Sequence, residues 1–317
     1  MRFLTVLQPL LISLLVCQTQ GLITPRGFRF KEPKDGREGG CSAGDIAIIR
    51  TELKVVKEAA ETAAGNVAGS PFFYAFQKPG NDLFRGKDLA EAAKRFYLRM
   101  AQLADESYRG NDFRIECRPE ECRLRSRDTV AVMTESVLRQ FFPPSMWVKK
   151  PSDPVLAFCE PFFTGSSGVS TEQRMKELKQ DVERLRKGEI RSLAGTSVNM
   201  GKVADTRSKV VMHELSHTNF VAEPITDVVR PKALVKKAML DYMYDVYDCY
   251  QLAGGMWKSG SGWKGNQKEG ARRAAMNAEN WALVGMGTYF AKQLGVGKIR
   301  FRVPSTAIGG GHLIDNR

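Results

Sequence analysis

Histidine is the scarcest reactive residue of this chain, with three in 317 residues. A metal site built from histidines alone would need every one of them. No stretch offers about eighteen uninterrupted apolar residues, so a membrane-spanning helix is excluded for the processed chain. No N-x-S/T sequence occurs, and N-glycosylation is not expected. Positive charge is in excess, with 48 Lys and Arg against 35 Asp and Glu and a net charge of +13, but it is scattered rather than blocked. No nucleic-acid motif accompanies it. A nucleic-acid binder would rest on charge alone and is not expected, and the pattern describes a solvated basic surface suited to acidic partners. Internal repeats are absent, which excludes a solenoid.

The first 21 residues carry Arg2 and then an apolar run broken by Gln8, Pro9 and Ser13. This is a secretory signal peptide by pattern, with cleavage near Gln20 or Gly21. The expected mature protein is secreted, extracellular and monomeric, without a transmembrane segment. Cleavage leaves five cysteines, Cys41, Cys117, Cys122, Cys159 and Cys249, an odd number that leaves at least one thiol free or paired with another chain. Cys117 and Cys122 lack the companion Cys or His spacing of a structural zinc site and belong to disulfide chemistry.

Residues 22–40 are basic and rich in Gly and Pro, and they read as a flexible leader or propeptide. Residues 41–300 read as a single domain and 301–317, including His312, as a disordered tail. Within the domain the periodicity predicts helices over 45–64 and 87–108, with a loop over 70–86 between them. Three short β-like runs follow at 113–117, 129–133 and 154–159. Helices are expected over 171–187, 205–218, 231–253 and 266–293, with a mobile glycine loop over 254–265. Helices, a small sheet and more helices make an α+β domain, mostly helical, of the zincin type.

The segment around which this organisation turns is His213-Glu214-Leu215-Ser216-His217. In a helix, histidines at i and i+4 share one face. Both imidazoles can reach one Zn²⁺, with Glu214 beside the metal as general base for a water. A third ligand is then required. Glu223 stands six residues after His217, where one zinc-protease class has a histidine. Glu223, Glu269 and Glu279 are carboxylate candidates, and Asp241-Tyr242-Met243-Tyr244-Asp245 is a further one.

Asp241-Tyr242-Met243-Tyr244 matches a D-x-x-Y signature, Asn277-Ala278-Glu279-Asn280-Trp281 is similar to N-A-D-x-Y, and Cys249-Tyr250-Gln251-Leu252-Ala253 is similar to C-x-x-L-A. Phe158-Cys159-Glu160-Pro161-Phe162 is similar to C-P-x-F. With the H-E-x-x-H segment, these make roughly 110–293 resemble the deuterolysins and lysine-specific metalloendopeptidases, the aspzincins. The resemblance implies a secreted zinc metalloendopeptidase acting on protein or peptide substrates. It implies His213, His217 and Asp241 as zinc ligands, Glu214 as base and Tyr244 as the group polarising the scissile carbonyl. Glu279, at the first acidic position of the pocket segment, implies a preference for Lys or Arg after the cleaved bond. The surroundings of Cys159 and Cys249 imply pairing of Cys159 with Cys117 or Cys122, and of Cys41 with Cys249. The family's Gly-Thr before the aspartate is absent and Asp245 stands in place of its glycine, so Asp245, Asp248 and Asp227 stay beside Asp241 as alternatives. A secreted basic binding protein or effector on the same fold, with weak or no catalysis, is the other reading.

Overall fold

The computed structural model describes residues 28–33, 39–78, 88–108, 113–123, 129–134, 154–165, 168–189, 197–229, 239–259, 262–295, 300–304 and 311–314. The signal segment 1–21 lies outside them. Chain order begins with β1 (Phe28–Phe30) and α1 (Ala43–Asn66). A capping box opens α1: Ser42 Oγ accepts the Asp45 N–H, and the Asp45 carboxylate accepts the Ser42 N–H. Buried Ile49, Leu53, Val56, Ala60 and Ala63 recur at helical spacing along it.

The expected loop over 70–86 instead contains α2 (Pro71–Gln77), entered through Pro71 and burying Phe72, Phe73 and Phe76. Asp88 then caps α3 (Leu89–Ala104). The three predicted strands are present as β2 (Phe113–Cys117), β3 (Ala131–Thr134) and β4 (Val155–Phe158), with α4 (Glu120–Arg123) after β2. They form one sheet in the order β1-β2-β4-β3, parallel except for the antiparallel β3–β4 pair. Part of the segment read as a flexible leader is thus the edge strand β1. Apolar Phe28 is buried there, and Phe28 to Phe30 lie in register with Phe113 to Ile115.

Next come α5 (Glu160–Thr164), α6 (Thr171–Arg186), β5 (Ser197–Asn199), α7 (Met200–Ala204), α8 (Arg207–Ser216) and α9 (Asn219–Val229). Of the helix expected over 231–253, residues 231–238 lie outside the described residues and 239–245 are not helical; α10 (Val246–Ala253) starts after Asp245, which caps it by accepting the Asp248 N–H. Residues 254–265 are not a featureless loop. They make the hairpin β6 (Met256–Ser259) and β7 (Gly262–Gly265). The helix expected over 266–293 is two, α11 (Gln267–Ala275) and α12 (Ala278–Leu294), separated at Asn277. The expected disordered tail contributes β9 (Gly311–Ile314), which pairs with β8 (Arg300–Pro304) beside β5.

Helix α12 is buried on nearly every side and forms the centre of the core. Trp281 on it packs against Phe96 and Tyr97 of α3, with ring centroids 5.2 and 6.1 Å away, and the Tyr97 hydroxyl donates to the Trp281 carbonyl. Helices α12 and α8 touch closely at Gly285, where a Cβ would stand 2.5 Å from the Met212 sulfur. The N-terminus of α8 is fixed from a third side. Buried Glu52 of α1 accepts from Ser208 Oγ at 2.6 Å and from Thr171 Oγ1 at 2.7 Å, joining α1, α6 and α8 through a satisfied carboxylate.

Two disulfides clamp the sheet, Cys41–Cys117 and Cys122–Cys159. The second agrees with the expected partner for Cys159. The pairing of Cys41 with Cys249 does not occur: Cys41 precedes α1 and meets the end of β2, while Cys249 is a buried free thiol on α10. Among the described residues no helix is long and apolar enough to cross a membrane.

Candidate metal centre

Thr206 caps α8 by accepting the Lys209 N–H, and the helix runs through His213 to end at Ser216, with His217 at its C-cap. One turn of helix brings the two imidazoles together with Nε2 atoms 3.3 Å apart. Asp241 Oδ1 lies 3.1 Å from His213 Nε2 and 3.2 Å from His217 Nε2. Three ligand atoms from two chain segments therefore form a nearly equilateral triangle. Ligands of a tetrahedral zinc ion at 2.0–2.1 Å stand about 3.3–3.4 Å apart, so the triangle fits one face of such a tetrahedron. Two nitrogens and one carboxylate oxygen also suit zinc chemically, and the geometry leaves a fourth position for a further ligand.

The second nitrogen of each ring is engaged. His213 Nδ1 lies 2.8 Å from Glu279 Oε2, and His217 Nδ1 lies 3.0 Å from the Met239 carbonyl. These acceptors favour the tautomers with Nδ1 protonated, leaving each Nε2 lone pair directed at the common point. Glu279 is 1% exposed, and its other oxygen accepts from Lys209 Nζ at 2.9 Å. Burial by itself would push the Glu279 carboxyl up, but the Lys209 ammonium and His213 overcome it and hold it below the usual range. Burial works against the His213 imidazolium, yet Asp241 and Glu279 push its pKa up to about 10. Asp241 shows the converse, with the burial cost outweighed by the two imidazoles, and its carboxyl is held far below the ordinary range.

Asp241 is not on a helix, as the sequence reading placed it. It sits in an extended segment clasped by the start of α12. The Met276 carbonyl accepts the Leu240 N–H, the Leu240 carbonyl accepts the Ala278 N–H, and Asn277 Oδ1 accepts the Tyr242 N–H at 2.7 Å. Asn277 Nδ2 donates to the Met243 carbonyl, so the buried amide holds the chain just after Asp241, while the backbone bonds of Leu240 hold it just before.

Four of the other candidate carboxylates are occupied elsewhere. Glu223 pairs with Arg99, Asp248 with Lys258 and Glu269 with Arg273, while Asp245 caps α10. Among the described residues His213, His217 and Asp241 are the group able to hold a metal ion.

Glu214 projects to the sheet, where its Oε2 accepts the Met133 N–H of β3 at 2.7 Å. Tyr244 is largely exposed, and its ring stacks on His213 with centroids 5.7 Å apart and planes at 24°. Glu279, expected in a substrate pocket, has both oxygens engaged by His213 and Lys209. The Lys209 ammonium thus partners, within the chain, the carboxylate that the resemblance assigned to a substrate cation.

Three participants had gone unnoticed in the sequence. Lys209 lies one helical turn before His213 and was detectable by that spacing. The Met133 N–H and the Met239 carbonyl are backbone groups with no side-chain signal. No protein-family model matches the chain, and no curated protein matches it.

Proposed function

We propose that this protein is a secreted zinc endopeptidase on a zincin-like fold, of the aspzincin type. The observation that carries the proposal is the triangle of His213 Nε2, His217 Nε2 and Asp241 Oδ1, with sides of 3.1, 3.2 and 3.3 Å. Charge supports it: Asp241, Glu279 and Glu214 all act on His213, and Lys209 pairs with Glu279, an excess of negative charge that suits a dication. Two disulfides accord with export to an oxidising compartment.

When bound, zinc supplies the Lewis acidity that polarises a water and a peptide carbonyl. Glu214 is anchored through Oε2 on β3, and its Oε1, without a hydrogen-bond partner among the described residues, accepts the water proton as the water oxygen attacks the carbonyl carbon. The same carboxyl then gives the proton to the departing amine as the C–N bond breaks. The Tyr244 phenol, protonated at neutral pH, donates a hydrogen bond to the developing oxyanion. Glu279 and the Met239 carbonyl keep the rings oriented throughout. Zinc content measured together with chelator-sensitive hydrolysis of a denatured protein tests the proposal.

A further inference from the structure

A cavity of about 570 Å³ opens beside the metal centre, lined by Tyr244, Lys209, Glu279, Tyr247, Asp248 and Lys258, among others. A second cavity, of about 330 Å³, is lined by Tyr247, Asp248, Gln251, Met256, Lys258 and Trp263. Tyr247, Asp248 and Lys258 belong to both, so the two cavities adjoin between Tyr244 and the β6–β7 hairpin. At its outer end the hairpin presents Trp263 at 42% and Met256 at 37% exposure. Large apolar side chains left open at the rim of a cleft mark a binding surface.

We propose that the outer cavity is a remote substrate subsite, which takes an aromatic or long aliphatic side chain of the peptide several residues from the scissile bond. This rests on the peptidase reading of the centre. The chemistry of the lining selects the class. The charged groups of the outer cavity are Asp248 and Lys258, and they pair with each other. An uncharged guest therefore meets no unpaired charge, while a charged guest would have to break that pair. Trp263 offers a ring face, Met256 an adaptable thioether and Tyr247 a second aromatic wall, a combination that favours apolar and aromatic guests. Lys258 also lies over the Trp263 ring, 5.3 Å from its centroid, and helps to fix the ring at the rim. An exposed Trp–Lys hairpin also suits an anionic lipid surface. Its position next to the cavity beside Tyr244 favours the peptide.

The test uses the zinc-loaded full-length protein and pairs of peptides sharing one scissile bond. The members of a pair differ only in Phe or Ala at a position three to five residues away. With the parent protein, KM for the Phe peptide is expected to be about tenfold lower at the best position, the size of one well-buried aromatic contact. Trp263→Ala should erase that difference with an unchanged melting temperature, and Trp263→Phe should restore part of it. Tyr74→Ala, an exposed aromatic lining neither cavity, should leave the difference intact. Independently of turnover, the Glu214→Gln protein should bind the Phe peptide more tightly than the Ala peptide by calorimetry, and Trp263→Ala should remove the preference.

If the parent hydrolyses peptides but shows no Phe preference at any position, or a preference that Trp263→Ala leaves unchanged, the subsite is refuted and the peptidase reading stands. If hydrolysis is absent yet Glu214→Gln binds the Phe peptide through Trp263, the subsite stands and the hydrolytic reading falls. Binding of phosphatidylserine vesicles through Trp263 without any peptide preference would overturn the subsite in favour of a lipid surface.

Discussion

Glu279 Oε2 lies 2.8 Å from His213 Nδ1, although 66 positions separate the two residues in the chain. A buried carboxylate so placed fixes the imidazole's tautomer and raises its donor strength. Glu279→Gln should therefore weaken zinc binding by roughly 10–100-fold, the usual cost of losing an outer partner of a ligating histidine. Competition against a chromogenic chelator reads this directly, and unchanged affinity would remove the orienting role.

Asp241 and Asp245 are four residues apart and do different work. Asp241→Ala removes one of three ligand atoms and should abolish stoichiometric zinc binding at micromolar metal. Asp245→Ala removes the α10 cap and should cost about 1 kcal/mol of stability while zinc stays bound. Metal analysis paired with urea denaturation separates the two. Zinc loss in Asp245→Ala with retention in Asp241→Ala would exchange their roles.

Local patterns carried what was legible. The H-E-x-x-H spacing placed two imidazoles on one face of α8, and β-branched or aromatic runs located β2, β3 and β4. Asp241 stood out by its spacing to Tyr244, yet its helical setting was misread. The Leu240–Asn277 bridge and the clasp by Asn277 are tertiary contacts that override the helical periodicity of the run. Caps were the missed local signals. Asp245 and Asn277 each stand immediately before a helix, where Asp and Asn are favoured. The Glu279–His213 and Glu214–Met133 contacts join segments far apart in sequence, and single-sequence spacing says nothing of such pairs.

Cysteine connectivity is another long-range property. Non-reducing peptide mapping should find Cys41 joined to Cys117 and Cys122 to Cys159, with Cys249 alkylated only after denaturation. The bridges span 76 and 37 residues, and in the loop-entropy account each stabilises the fold by about 4 kcal/mol. Reduction should lower the melting temperature. A Cys41–Cys249 peptide would contradict this arrangement.

Asp105, at the end of α3, accepts from Lys57 of α1 at 2.6 Å. The Lys57 ammonium, aided by Ser107, holds its carboxyl down at about 2, against an ordinary 3.8. A carboxyl lowered on folding stabilises the protein above its unfolded pKa and loses that contribution as pH falls towards the folded one. Asp105→Asn should accordingly reduce the drop in urea midpoint between pH 5 and pH 3 relative to the parent. The same drop in both proteins would show that the pair carries no pH-dependent stability.

The central claim is that His213, His217 and Asp241 hold a zinc ion beside a catalytic Glu214. Its most direct test is zinc content and hydrolysis of a denatured protein, measured on one preparation each of the parent and Glu214→Gln. The account predicts about one zinc per chain in both proteins, with chelator-sensitive hydrolysis in the parent and none in Glu214→Gln. Full hydrolysis after chelation, or cleavage by Glu214→Gln at the parent rate, would contradict it.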